Sequence, residues 1–111
     1  MFQDWNETSS LTNNPYFLSK KLSEQAAWKL WEEKKDKIDL AVVNPFFVLG
    51  PIKSTSLNQS VARIKGYLSG DKSGLLPGKV GIVDVRDVAA AFVIAAEHPD
   101  AVGKRYELVR V

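Results

Sequence analysis

Apolar positions change their spacing several times along the chain, and each change marks an element. Residues 1–12 are polar without a clear period and read as an irregular segment. From Asn14 onward the spacing is helical. Leu18, Leu22, Ala26 and Leu30 form one apolar stripe, with Tyr16, Lys20, Ala27 and Trp31 on an adjoining face. Asn14 followed by Pro15 is a start signal, a capping side chain ahead of proline at the first helical position. The predicted helix covers about 15–35, and the mixed run EEKKDK at 32–37 reads as its solvated end. IDLAVVNP then carries a nearly continuous apolar core stopped by Pro45. That is the pattern of a strand covered on both faces, placed at 39–44. FFVLGPIKSTS reads as a loop, LNQSVARIKGYL as a helix over 57–68, and SGDKSGLLPGK as a glycine-rich loop. VGIVDV reads as a short strand and RDVAAAFVIAAEH as an alanine-favoured helix over 86–97 stopped by Pro99. KRYELVRV closes the chain as a strand.

Helix, strand, helix, strand, helix, strand is the alternation of an α/β fold. The 111 residues allow one domain with a modest core. The glycines at 66, 70, 74 and 78 recur every four residues, but the segment is too polar for a membrane-helix pairing motif.

Charge and composition narrow the function classes. A net charge of +2 with acids and bases interspersed is no nucleic-acid footprint. The chain has no cysteine, which excludes a disulfide framework, a thiolate metal site and a cysteine nucleophile. One histidine, His98, gives a histidine metal cluster or a Ser-His-Asp triad little to work with, so no metal is expected. No secretory pattern opens the chain, and LAVVNPFFVLGPI is too short and broken for a membrane span. The expectation is a cytoplasmic protein that engages neither nucleic acid nor membrane.

Tyr16 and Lys20, one turn apart, are the candidate chemistry. A free phenol, with a pKa of about 10, is a poor acid–base catalyst at neutral pH, and a nearby ammonium favours its phenolate. Such a pair can give a proton to a carbonyl oxygen as hydride reaches the carbon. Tyr-x-x-x-Lys also occurs by chance on many helices.

The neighbouring segments distinguish the two readings. PYFLSKKLSEQAAW, DLAVVNPFFVLGP and VDVRDVAAAFVIAAEHPDAVGKRYEL occur in that order, preceded by QDWNETSS. Together they resemble the C-terminal part of an extended short-chain dehydrogenase/reductase in the NAD-dependent epimerase/dehydratase superfamily. The nearest group comprises dihydroflavonol, cinnamoyl-CoA and methylglyoxal or aldehyde reductases. The resemblance covers essentially the whole chain. It implies a partial Rossmann-like NAD(P)-binding fold, a single partial domain over 1–111 lacking the N-terminal Gly-rich nucleotide-binding half. It also implies hydride transfer between a nicotinamide and a small ketone or aldehyde, with NADP as cofactor and NAD as the alternative.

By this resemblance Tyr16 matches the catalytic tyrosine, and Lys20 the catalytic lysine that also holds the ribose. Pro45 and Val48 match cofactor-contacting positions, partly through main chain, and Ser60 matches a serine on the pyrophosphate. Trp5, Phe46 and Phe47 fall where the substrate pocket is expected, and VDVRDVA matches a signature of structural role. The catalytic Ser or Thr of the family lies upstream of anything present, and no G-x-G-x-x-G follows a strand here. The chain therefore holds half an active site, and self-association or pairing with the missing half is expected.

Two rival readings remain open: a non-catalytic truncated paralogue or interaction module, and an epimerase or 3β-hydroxysteroid dehydrogenase relative. The AAW and NPFFVLGP contexts favour the reductase group. His98 reads as the basic end of a helix. Asp84, Arg86 and Asp87 read as a helix cap with a local ion pair. Trp28 and Trp31 read as packing residues, and the loop around 69–78 as a mobile segment carrying specificity.

Overall fold

The chain begins its regular structure where proline meets a left-handed asparagine. The computed structural model describes residues 5–71, 74 and 80–110. Helix α1 spans Pro15–Glu33. Asn14 takes φ 58° and makes no side-chain cap; its amide donates to Asn13 Oδ1 at 3.1 Å instead. The start signal is therefore the proline and an αL backbone that asparagine tolerates, not the capping side chain. Strands β1 (Val42–Pro45) and β2 (Phe47–Leu49) follow, then α2 (Gln59–Leu68), β3 (Ile82–Asp84), α3 (Val85–Glu97), a 3₁₀ turn at Pro99–Ala101 and β4 (Arg105–Leu108).

β1 pairs in parallel with β4, from Val42 opposite Arg105 to Pro45 opposite Leu108. β2 pairs in parallel with β3, from Phe47 opposite Ile82 to Leu49 opposite Asp84. Parallel pairing follows from the helical crossovers, which return the chain to the same end before the next strand begins. The chain changes sheets at Phe46, whose N–H still donates to Leu108 O at 3.0 Å. The FFVLG stretch, read from sequence as loop, thus contains a strand. An aromatic, a valine and a leucine suit a pleated surface, and β3 supplies the partner that the local pattern does not reveal. The first strand sits at 42–45 rather than 39–44.

α1 does not turn its leucine stripe inward. Leu22 and Leu30 are more than half exposed, and the half-buried positions are Leu18, Lys21, Glu24, Gln25, Trp28 and Trp31. Helical spacing fits both stripes; polar partners on the strands select the second.

α3 begins with the cap expected of it. Asp84 Oδ1 accepts from Arg86 N–H at 2.8 Å, and Arg86 Nη2 closes the ion pair on Oδ2 at 2.6 Å. His98 ends the helix, its N–H donating to Ile94 O and its Nδ1 accepting from Asp100 N–H. At Gly50, φ is +144° and a Cβ would stand 2.5 Å from Val85 Cγ1, so only glycine brings β2 this close to α3.

Among the described residues only Val88 and Ala101 are buried, and neither is wholly shut off from solvent. The run Val88–Ala96 is apolar all round, a pattern that belongs to a buried helix, yet Phe92, Val93 and Ile94 are each more than half exposed. The accessible surface is 9015 Å², against about 6,100 Å² for a folded monomer of this mass. The radius of gyration is 16.6 Å, against about 13 Å. No described helix is long and apolar enough to cross a membrane.

Candidate functional site

The direction of α1 follows from what it touches. Glu24 reaches Asn44 in β1 and Arg105 in β4. Trp31, two turns later, covers Gly103, two residues before Arg105. α1 therefore runs antiparallel to both strands, and its N-terminal end lies toward their carboxyl ends. Lys20 and Tyr16 precede Glu24 by four and eight residues, about 6 and 12 Å along the axis. The pair thus sits on the side of the sheet where α/β folds bind ligands.

Tyr16 is 64 % exposed, and the Lys20 ammonium lies 5.6 Å from its ring centroid. Phe17 stands edge-on to the same ring at 5.6 Å. Among the described residues Lys20 has no carboxylate partner, which leaves its three N–H donors for another acceptor. An open phenol with an unpaired ammonium one turn away can deliver a proton to an oxygen placed beside them.

The other candidates fall into three places. Pro45, Phe46, Phe47 and Val48 form the crossing between the sheets, with Phe46 exposed and Val48 opposite Val83. Ser60 stands in the first turn of α2, which packs on β2. Asn58 Oδ1 caps that turn at Val61 N–H, 2.9 Å away, and the N–H groups of Gln59 and Ser60 lie outside the intrahelical ladder. Trp5 lies elsewhere, its ring 5.3 Å from the Arg105 guanidinium. Most of the loop around 69–78, and with it the specificity role expected of it, lies outside the described residues.

A cleft of about 530 Å³ opens at the carboxyl ends of β2, β3 and β4, lined by Leu49, Asp84, Asp87, Leu108 and Arg110. A second, of about 470 Å³, lies between the start of β1 and α3, beside Leu40, Phe92 and His98. Neither includes Tyr16 or Lys20.

The sequence reading missed a part-buried polar cluster that, among the described residues, ties α1 to the sheet. Glu24 Oε1 accepts from Arg105 Nε at 2.7 Å and Trp28 Nε1 at 3.1 Å; Oε2 accepts from Asn44 Nδ2 at 3.2 Å and Arg105 Nη2 at 3.4 Å. Burial pushes the Glu24 carboxyl up. The hydrogen bonds from Arg105, then Trp28, with the Arg105 charge and Asn44, outweigh it and hold the group below the ordinary glutamate value. Glu24 and Arg105 are 81 positions apart, and no local pattern joins them.

Residues 3–108 match the model of the NAD dependent epimerase/dehydratase family. The chain is 43 % identical over 94 residues to cinnamoyl-CoA reductase 1 of Petunia hybrida, covering 84 % of this chain and 27 % of that protein. It is 41 % identical over 92 residues to tetraketide alpha-pyrone reductase 2 of Arabidopsis thaliana, covering 80 % and 27 %. The crystal structure of yeast methylglyoxal/isovaleraldehyde reductase Gre2 complexed with NADPH superposes with TM-score 0.77 at 32 % identity, covering 96 % of this chain and 34 % of that one. The chain thus spans between a quarter and about a third of the length of these relatives.

Proposed function

The chain belongs to the NAD dependent epimerase/dehydratase family, and from that premise we propose that it forms the catalytic-helix portion of an NADPH-dependent carbonyl reductase of the cytoplasm. The observation that carries this reading is the Tyr16–Lys20 pair, open at the carboxyl side of the sheet, with the ammonium 5.6 Å from the ring. Reductase relatives on either side of the comparison, cinnamoyl-CoA and methylglyoxal, support the reaction class.

The residues present fit one side of a nicotinamide dinucleotide. The unpaired Lys20 ammonium suits ribose hydroxyls, and the Pro45–Val48 crossing offers main chain and an exposed aromatic face at a strand end. Ser60 presents a hydroxyl at a helix start, where N–H groups favour anionic oxygen. When bound, NADPH, or NADH in its place, supplies hydride to the carbonyl carbon. Tyr16 donates its phenolic proton to the carbonyl oxygen as negative charge develops there. Lys20 stabilises the phenolate that remains and orients the ribose. Phe46 and Phe47 line the substrate side; Trp5, expected from sequence to join them, stands instead on Arg105 at the start of β4.

A second reading, a non-catalytic interaction module, draws support from the thin core. One experiment separates the two. An immunoblot of native cell extract, with an antibody against residues 65–80, reads the size of the polypeptide. A band three to four times heavier than 12.3 kDa supports the enzyme. In that protein Tyr16→Phe should lower NADPH-dependent carbonyl reduction by about 10²–10⁴-fold, the contribution of a positioned general acid. A band at 12.3 kDa with no reductase activity favours the module.

A further inference from the structure

α1 carries the proposed acid, yet no residue of α1 is fully buried. A helix is usually oriented by an apolar stripe sunk into a core. Here Leu22 and Leu30 face outward, and among the described residues the hydrogen bonds from the strands to α1 converge on one carboxylate. Tyr16, Lys20, Glu24 and Trp28 are spaced by four and share one ridge of the helix. Both Glu24 oxygens are engaged, each by two donors. The strand donors come from neighbouring parallel strands held in register, so they form a fixed reference. One of them, Asn44, immediately precedes Pro45 at the cofactor-side crossing.

We propose that Glu24 is a positioning residue: through Arg105 and Asn44 it sets the rotation of α1 about its axis, and so the angle at which Tyr16 and Lys20 face the carboxyl end of β1. The proposal rests on the reading of Tyr16 as proton donor. A helix with its side chains has a radius of about 5–6 Å, so a 20° rotation moves a side-chain tip by about 2 Å. A misplacement of about 1 Å costs roughly 10²-fold in rate. The fork of Arg105 fits a carboxylate in two places at once and resists such rotation. The Trp5 ring, its centroid 5.3 Å from the same guanidinium, further restricts it.

The test uses the native polypeptide bearing this chain, labelled with 3-fluorotyrosine and observed by ¹⁹F NMR. Tyr16→Phe assigns the Tyr16 resonance and reports separately on the function: if reduction survives that change, the reading of Tyr16 fails whatever Glu24 does. Glu24→Gln keeps size but turns an acceptor toward Arg105 into a donor. It should shift the Tyr16 resonance while leaving that of Tyr106 on β4 in place, and lower kcat 10- to 100-fold with KM for NADPH changed less than threefold. Glu24→Asp, which keeps the charge on a shorter arm, should recover part of the loss. If Glu24→Gln unfolds the protein, Asn44→Ala removes a single donor and should shift the Tyr16 resonance in the same direction. A Tyr16 resonance unmoved in a folded variant, or kcat and KM falling together with every tyrosine signal, overturns the proposal.

Discussion

Tyr16 and Glu24 share a ridge but differ in how much the fold depends on them. Tyr16 is open to solvent, and Tyr16→Phe removes only an exposed hydroxyl; its effect on unfolding free energy should stay within about 0.5 kcal/mol. Glu24→Ala leaves the Arg105 guanidinium without its main acceptors in a part-buried site, where only 16 % of its side chain is exposed. That change should cost about 3 kcal/mol, the low end for breaking a buried pair. Denaturant melts of the native polypeptide compare the two; equal midpoints would show that the cluster contributes nothing to stability. The Tyr-x-x-x-Lys pair was legible because both residues lie on one helix at a fixed period. The Glu24 cluster was not, because its members come from a helix and two strands far apart in the chain. Sequence places Glu24 on a helix face; only the strands make that face the inner one.

Among the elements, α3 shows most directly how a local signal becomes a structural joint. VDVRD supplies cap, first turn and ion pair within four residues, and the structure reproduces all three. The hydrogen bonds from the Arg86 side chain and backbone hold the Asp84 carboxyl well below its ordinary value of 3.8, at about 2. The stabilisation from this cap is complete above pH 3.8 and lost as the pH falls through about 2. The protection of amides in the first turn of α3, taken relative to their intrinsic exchange rate at each pH, should therefore hold down to about pH 4 and fall between pH 4 and 2. Asp84→Asn, which caps without the charge, should abolish that pH dependence. A flat profile in the unmodified protein would show that the Arg86 contact does not form in solution. β2 illustrates the opposite case. Its three residues are too few for a period to register, and its strand state depends on β3, more than thirty positions away.

The whole molecule presents more surface than its mass requires. Among the described residues, an all-round apolar helix left largely exposed, two buried side chains and two two-stranded sheets joined by a single bridge between Ile82 and Arg110 describe a fold that needs covering. The isolated 111-residue chain should therefore elute as a dimer or larger species, bind a hydrophobic dye and melt over a broad range. A sharp, cooperative, concentration-independent melt of a monomer would contradict this.

Much of what rests on neighbours within a turn or a strand was legible in the sequence, although the Asn14 side-chain cap expected there does not form and the first strand starts later than its apolar run. The legible part includes the helix bearing Tyr16 and Lys20, the apolar run stopped at Pro45, the capped start of α3 and the α/β alternation. The tertiary structure alone decided the rest: which stripe of α1 faces inward, that Phe47–Leu49 is a strand, and that Glu24 meets Arg105 and Asn44. Short-range periodicity reports a side chain's position on its own element, where covalent geometry dictates the outcome. Which face is buried depends on partners brought close by chain crossovers, and one-dimensional order does not encode those contacts locally.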